Sequence, residues 1–404
     1  MNSFIKSGKQ PIFISIIALG LFIQLSGLFW VTNGYSTKVY LLLSLPTLLY
    51  AVINSRYIYD NFLLKNPIGW ALALFFTLFS LSGLWSEAGS YLGTASKKSL
   101  LCLLYVISVA VLVQKSKHFI TILSATVIIA GIAALLTLVN NFLIEGIPLS
   151  TRIMQSNIGE LADFKNPIIA GIVYCNIALC GIYLLTTDLN KHIKSAIIIS
   201  ILLCIITALF TQSRTSFLGV ILAFSGLILV YPRSNIKWWG VGMSCLLIII
   251  MMTPLWESFI TRSGTSWRPQ IWLGAVTHLL KEAPFLGFGA GSEEHFLATK
   301  LLNGTVTTLS WGHPHNGFIL ASMQTGLLGF LIYASLFFSS LKSLVVRKHS
   351  KLAPLALSLT LFSIGVQITD IHTIVSRPGV YWLVIWFPIG IALGLFKQTN
   401  PQEG

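Results

Sequence analysis

A bundle of about twelve membrane-spanning α-helices is the fold this sequence predicts, on three observations. Of its 404 residues 55% are hydrophobic and only 9% charged, with a mean hydropathy of +0.81, whereas an average soluble domain is about one quarter charged. Apolar runs close to the roughly 20 residues that a helix needs to cross hydrocarbon recur along almost the whole chain. Lysine and arginine gather in alternate connections, as they do on the cytoplasmic side of multi-pass proteins.

The runs lie at roughly 12–30, 39–53, 67–84, 99–113, 119–140, 167–186, 195–211, 216–231, 238–254, 317–341, 352–369 and 379–396. The first follows Lys6 and Lys9 but exceeds a signal-peptide core and lacks a small-residue cleavage site, so it reads as a retained helix. Most connections are short, which makes the helices antiparallel neighbours and residues 1–404 a single integral membrane domain. With the N-terminus inside, the cytoplasmic connections collect pairs such as Lys115 with Lys117 and Lys191 with Lys194. Two outer connections are long, 141–166 and 255–312. In the second, Ile271, Trp272, Ala275, Val276, Leu279 and Leu280 recur at helical spacing and predict an amphipathic helix at the membrane surface, closed by Pro284. The net charge of +14 is spread over many loops; it meets anionic lipid headgroups and forms no nucleic-acid groove. Cys102, Cys175, Cys180, Cys204 and Cys245 all fall inside apolar runs and read as small core residues, not as disulfides or metal ligands. No run carries an ionisable residue near its centre, which argues against an ion-coupled transporter.

The ionisable residues gather instead at the outer ends of helices. His313-Pro314-His315-Asn316 ends the longest polar stretch and opens an apolar run. Histidine exchanges protons near neutrality, so either imidazole can serve as a base at the membrane surface, or can simply be bonded to backbone. Asn316 can cap the helix that follows. Arg214, in Thr211-Gln212-Ser213-Arg214-Thr215-Ser216, offers a phosphate a planar fork of donors, or snorkels to the headgroups. Arg268 opens the amphipathic helix ahead of Pro269, where free backbone N–H groups and the helix dipole join the guanidinium as an anion site. Arg152 and Arg377 are weaker candidates of the same kind; four arginines around one mouth suit a diphosphate. Asp370 and His372, in the last outer loop, are candidates to orient a catalytic histidine. Gly287, Gly289 and Gly291 read as a flexible loop, since no strand precedes them as a nucleotide loop requires. Glu293, Glu294 and His295 read as solvated, and no metal site is expected.

His315 and Asn316, with Gly326 and Gly329 at the matching offsets, carry a histidine motif without a gap. Beside it stand Asn166-Pro167-Ile168, Ser213-Arg214, Arg268-Pro-Gln-Ile-Trp with Pro284-Phe-Leu-Gly-Phe-Gly, and Arg377-Pro378. From about residue 150 onward the sequence therefore resembles the O-antigen ligase family of bacterial inner membranes. The resemblance implies a GT-C-like, metal-independent glycosyltransferase that needs no cofactor. It also implies an inner-membrane protein with both termini cytoplasmic, an active site facing the periplasm, and residues 255–312 as a large periplasmic loop. The donor would be O-antigen polysaccharide on undecaprenyl diphosphate and the acceptor a sugar hydroxyl of the lipid A core, in lipopolysaccharide biosynthesis. His315 would be the general base of an inverting displacement. Arg214 and Arg268 would bind the diphosphate with Arg152 and Arg377, supported by His313, Asn316 and Asp370. O-antigen polymerases and protein O-oligosaccharyltransferases share the histidine motif and stand as alternatives; a lipid-linked glycan flippase or channel is the reading from another class.

Overall fold

The structure is a computed structural model and describes residues 10–396 apart from 64–65, 87–88, 90, 116–117, 155–160, 163, 165, 232–266, 293 and 303–304. The expected span at 238–254 lies outside the described residues; every other expected run is helical. In chain order the helices are α1 (Gln10–Ser26), α2 (Tyr35–Ile53), α3 (Ser55–Leu63), α4 (Pro67–Ser82), α5 (Leu92–Lys115), α6 (Phe119–Ile144), α7 (Pro167–Leu184), α8 (Lys191–Phe210) and α9 (Arg214–Val230). They continue with α10 (Arg268–Glu282), α11 (Gly317–Val346), α12 (Ala353–Thr369) and α13 (Trp382–Leu395). Among the described residues α2, α5, α6, α7, α8 and α11 are long and apolar enough to cross a membrane; α3 and α4 meet at 105°, and α1, α9, α12 and α13 are shorter apolar helices. The protein is a polytopic helical membrane protein.

Local chemistry starts several of these helices. Asn66 and Asn166 accept the backbone N–H two residues on, at 3.0 and 2.8 Å, and a proline at the first helical position follows each. That combination satisfies one orphan donor and removes another.

Hydrocarbon gives spans no hydrophobic reason to associate, so close approach at small residues and interhelical hydrogen bonds must hold them. α9 and α12 show this: a Cβ on Gly365 would meet the Gly219 Cα at 2.8 Å, while Gly226 lies against Leu361. The pair is therefore antiparallel, and the start of α9 emerges beside the end of α12. Arg214 and Asp370 each stand five residues beyond their glycine, about 7.5 Å further along the axis. Gly171 near the start of α7 lies against Thr211, Ser213 and Ser216, which brings a third helix terminus to the same end. Elsewhere Tyr105 donates to Gln24 Oε1 at 2.9 Å, and Gln114 donates to the Gly394 carbonyl at 2.8 Å.

The long connection holds α10 as expected, with Ile271, Ala275 and Leu279 buried. It also holds a β-hairpin, absent from the expectation of helices alone. β1 (Phe296–Leu302) and β2 (Thr305–Trp311) pair antiparallel from Phe296↔Trp311 to Leu302↔Thr305. The signal is Asn303-Gly304 between the strands, the commonest two-residue hairpin sequence, followed by the β-branched Thr305, Val306, Thr307 and Thr308. Phe296 and Ala298 of β1, Ile271 and Ala275 of α10, and Met323 of α11 make a small core of their own.

Gly287, Gly289 and Gly291 differ from expectation as well, for they form a docked turn and not a flexible loop. All three have positive φ, at 67°, 93° and 83°, a region that glycine enters without steric penalty. α11 breaks at Gly326 (φ 69°, ψ −170°), and the turn fills the break. Phe288 N–H donates to the Met323 carbonyl at 2.7 Å and Leu327 N–H to the Pro284 carbonyl at 2.9 Å; Ala290 N–H donates to Ser82 Oγ at 3.0 Å. The segment carrying Arg268 is thereby spliced into the helix that His315 precedes. Gly326→Ala places a Cβ against the Phe285 carbonyl at a φ that costs a non-glycine residue about 1–3 kcal/mol. Thermal unfolding in detergent is expected to shift down by several degrees; a variant that melts with the wild type contradicts this account of the break.

Candidate functional site

The residues singled out by sequence converge on one end of the bundle. Asn316 caps α11 by accepting from Phe318 N–H and Ile319 N–H at 2.9 and 3.1 Å, and its Nδ2 donates to the Ile368 carbonyl at 3.0 Å. One side chain thus starts α11 and ties it to the last turn of α12. His315, just before the cap, has φ 50°, an uncommon left-handed conformation for a side chain of this size. Its Nδ1 lies 2.8 Å from Asp370 Oδ1, just beyond α12.

Asp370 organises the cluster. The carboxylate side chain is 2% exposed, and it takes His315 and His372 (3.2 Å) on Oδ1 and the Arg268 guanidinium (3.4 Å) on Oδ2. Burial pushes the carboxyl pKa up, but the hydrogen bonds from His315 and His372 and the charges of His372 and Arg268 outweigh it and hold the group well below the usual carboxylate range. An ionised Asp370 can only accept hydrogen bonds, so it places a proton on His315 Nδ1 and on His372 Nε2. Neutral His315 then has its lone pair at Nε2, and His372 Nδ1 lies 3.3 Å from His313 Nε2. The three rings lie edge to face, with centroids 4.0–4.8 Å apart, and Trp311 meets the His315 ring edge-on at 5.9 Å. Tyr381, at the start of α13, hydrogen-bonds the backbone of His372; Tyr381 and Trp311 belong to the site without having been expected there.

The arginines divide. Arg268 opens α10 and joins the cluster directly. Arg214 is exposed at the first position of α9, where Ser213 Oγ accepts from Ser216 N–H. Arg152 donates Nε to the Thr211 carbonyl at 2.7 Å, so it stands beside the turn that leads into Arg214; Gln212 in that turn has φ 50°. Arg377 is exposed in the loop before α13, and its charge acts on Tyr40 of α2.

His313, His315 and His372 each offer one ring nitrogen, all within 4.8 Å of one another, so these three can meet a single metal ion. Glu294 instead pairs with His278 at 3.3 Å, and Glu293 lies outside the described residues. A cavity of about 380 Å³ opens between α1, α6 and residues 161–162, lined by Phe22, Phe29, Trp30 and Leu136 among others; none of the residues above lines it.

Fold and site together define a polytopic helical membrane protein with an aspartate-linked histidine and arginine cluster at one mouth of its bundle. Residues 199–334, which include Arg214, Arg268 and His315, match the O-Antigen ligase family. Along nearly its whole length the chain is also similar to an O-antigen ligase of Pseudomonas aeruginosa, at 26% identity over 390 residues, covering 95% of this chain and 92% of that one. This chain is thus similar to O-antigen ligases.

Burial, then the neighbouring His315 and His372, push the His313 pKa from 6.5 down to about 4. As pH falls below about 6.5 the unfolded chain takes up this proton first, so the His313 contribution to stability is complete above that pH and is lost towards pH 4. NMR titration of ring-labelled histidine in micelles should show one imidazole with a midpoint below 5 that disappears in His313→Gln; a His313 midpoint near 6.5 contradicts the burial.

Proposed function

We propose that the protein is an O-antigen ligase, moving polysaccharide from undecaprenyl diphosphate to a sugar hydroxyl of the lipid A core at the periplasmic mouth of the bundle. The observation that carries this reading is the shared carboxylate. Asp370 holds His315 with Nε2 as the basic atom and, through its other oxygen, holds Arg268, so base and phosphate ligand share one rigid support. The acceptor hydroxyl loses its proton to His315 Nε2 as its oxygen bonds to the anomeric carbon. The bond from that carbon to the diphosphate breaks in the same step, its electron pair leaves on the diphosphate, and the configuration inverts. Asp370 offsets the positive charge that grows on the imidazole.

Arg268, Arg214 and Arg152 take up the negative charge that builds on the leaving group. Burial lowers the Arg152 pKa, and among the described residues no carboxylate pairs with it; a bound diphosphate would supply the missing charge. Gln270 Oε1, Trp272 Nε1, Trp311 Nε1 and Gln324 Oε1 are buried without a hydrogen-bond partner among the described residues. They belong to α10, β2 and α11 beside the cluster, and polar atoms left unpaired in aromatic company suit a carbohydrate. A diphosphate already leaves readily, so positioning, charge stabilisation and a base are sufficient, and the proposed reaction is metal-independent.

Transfer from a lipid-linked donor to lipid A core, measured with purified protein in nanodiscs, tests the reading. His315→Gln should abolish transfer and leave the protein folded; a variant that keeps wild-type turnover removes His315 as the base. Asp370→Asn should slow transfer about a hundredfold or more, through loss of the fixed tautomer and of the imidazolium's counter-charge; a rate within twofold of wild type separates Asp370 from the chemistry. Wild-type transfer should persist in EDTA. Loss on chelation with recovery on adding Mg²⁺, Mn²⁺ or Zn²⁺ would instead make the three histidines an ion site.

A further inference from the structure

Lys98 and the backbone beside Arg377 both neighbour Cys102, where α5 packs against α13 and α2. Cys102 of α5 donates to the Ser376 carbonyl at 3.6 Å, and Trp382 Nε1 donates to the same oxygen at 3.1 Å. Two donors, one from α5 and one from α13, therefore pin the backbone just before Arg377 between those helices, while Arg377 itself stays exposed. One helical turn from Cys102 lies Lys98, close enough for its charge to act on the thiol. Its ammonium donates to the Tyr91 hydroxyl at 2.6 Å, and the Tyr91 ring rests against Gly291 of the docked turn. Lys97 is exposed beside it. Among the described residues no carboxylate pairs with Lys97, Lys98 or Arg377.

On the expected orientation these cations stand on the face from which lysine and arginine are ordinarily depleted. A cationic patch there, without counter-charge of its own, suits an anionic ligand. The patch is continuous with the site, since Arg377 and His372 share the loop between α12 and α13, and Tyr381 at the end of that loop hydrogen-bonds the backbone of His372. The donor's diphosphate has to sit at the reacting carbon, within reach of His315 and the Arg268 support. A second phosphate arriving on the incoming molecule is repelled by that diphosphate unless a separate set of cations receives it.

We infer that Lys98 and Arg377, with Lys97 beside them, bind a phosphate group carried by the acceptor glycolipid and so steer its hydroxyl towards His315. The inference rests on the transfer reaction proposed above, and commits to the acceptor because the patch adjoins the histidine cluster.

Binding is read without donor, so that this inference and the reaction are judged apart. The probes are a phosphorylated lipid A core acceptor and the same acceptor after phosphatase treatment, each titrated into protein in nanodiscs. Arg377→Gln and Lys98→Gln are each expected to weaken binding of the phosphorylated form by about tenfold or more. Neither should alter binding of the treated form or the KM for the lipid-linked donor. Lys98→Arg, which keeps the charge, should restore affinity if charge, and not the Tyr91 contact, is what matters. Equal losses on both acceptor forms, unchanged affinity for the phosphorylated form, or a raised donor KM overturns the inference. So does a loss that follows the phosphatidylglycerol content of the nanodisc, which would make the ligand a bilayer headgroup. Failure of wild-type transfer with acceptor binding intact counts against the reaction and leaves the phosphate site standing.

Discussion

The site depends on one buried carboxylate. An ionised group taken out of water costs several kcal/mol unless charges and donors surround it, and Asp370 is surrounded on both oxygens, by two imidazoles and a guanidinium. Those partners come from three separate places in the chain: the end of the long connection, the start of the amphipathic helix and the loop between α12 and α13. The carboxylate is therefore a structural joint as much as a chemical group. It fixes the proton on two histidines, and it couples the position of Arg268 to the orientation of His315.

The architecture around the joint follows from helix ends. α9 and α12 cross at paired glycines, Asn316 bridges α11 to α12, and Gly171 presses α7 against the turn before Arg214. Helix termini carry unpaired backbone groups and partial charge. Gathering several at one mouth makes a polar, anion-tolerant enclosure in a chain whose spans are otherwise apolar, and keeps ionisable side chains out of the hydrocarbon.

Much of this is legible in the sequence, and the reason is physical. Spans are long apolar runs with strong signals, and the caps Asn166 and Asn316 and the start at Arg268-Pro269 are short-range chemistry that any sequence displays. His315, Arg214 and Arg268 stand out because polar residues are scarce here. The partnership of Asp370 with His315 is different: 55 residues separate them, and only the crossing of α11 and α12 makes them neighbours. Arg377 shows the same limit, since its place beside α5 comes from the Cys102 and Trp382 contacts with Ser376. The β-hairpin was written locally in Asn303-Gly304, but an amphipathic helix beside it dominates the pattern. The three glycines look like flexibility in a sequence because their positive φ is invisible until the turn is seen filling the break at Gly326.

That break gives the stretch from His315 to Gly326 the role of a ruler. One end is the imidazole and the other is the notch into which the glycine turn locks. On a helix each residue advances the chain about 1.5 Å and turns it about 100°. A single inserted or deleted residue between them would swing the imidazole roughly a quarter turn away from its aspartate while the notch stayed locked, so this stretch can change its side chains far more freely than its length.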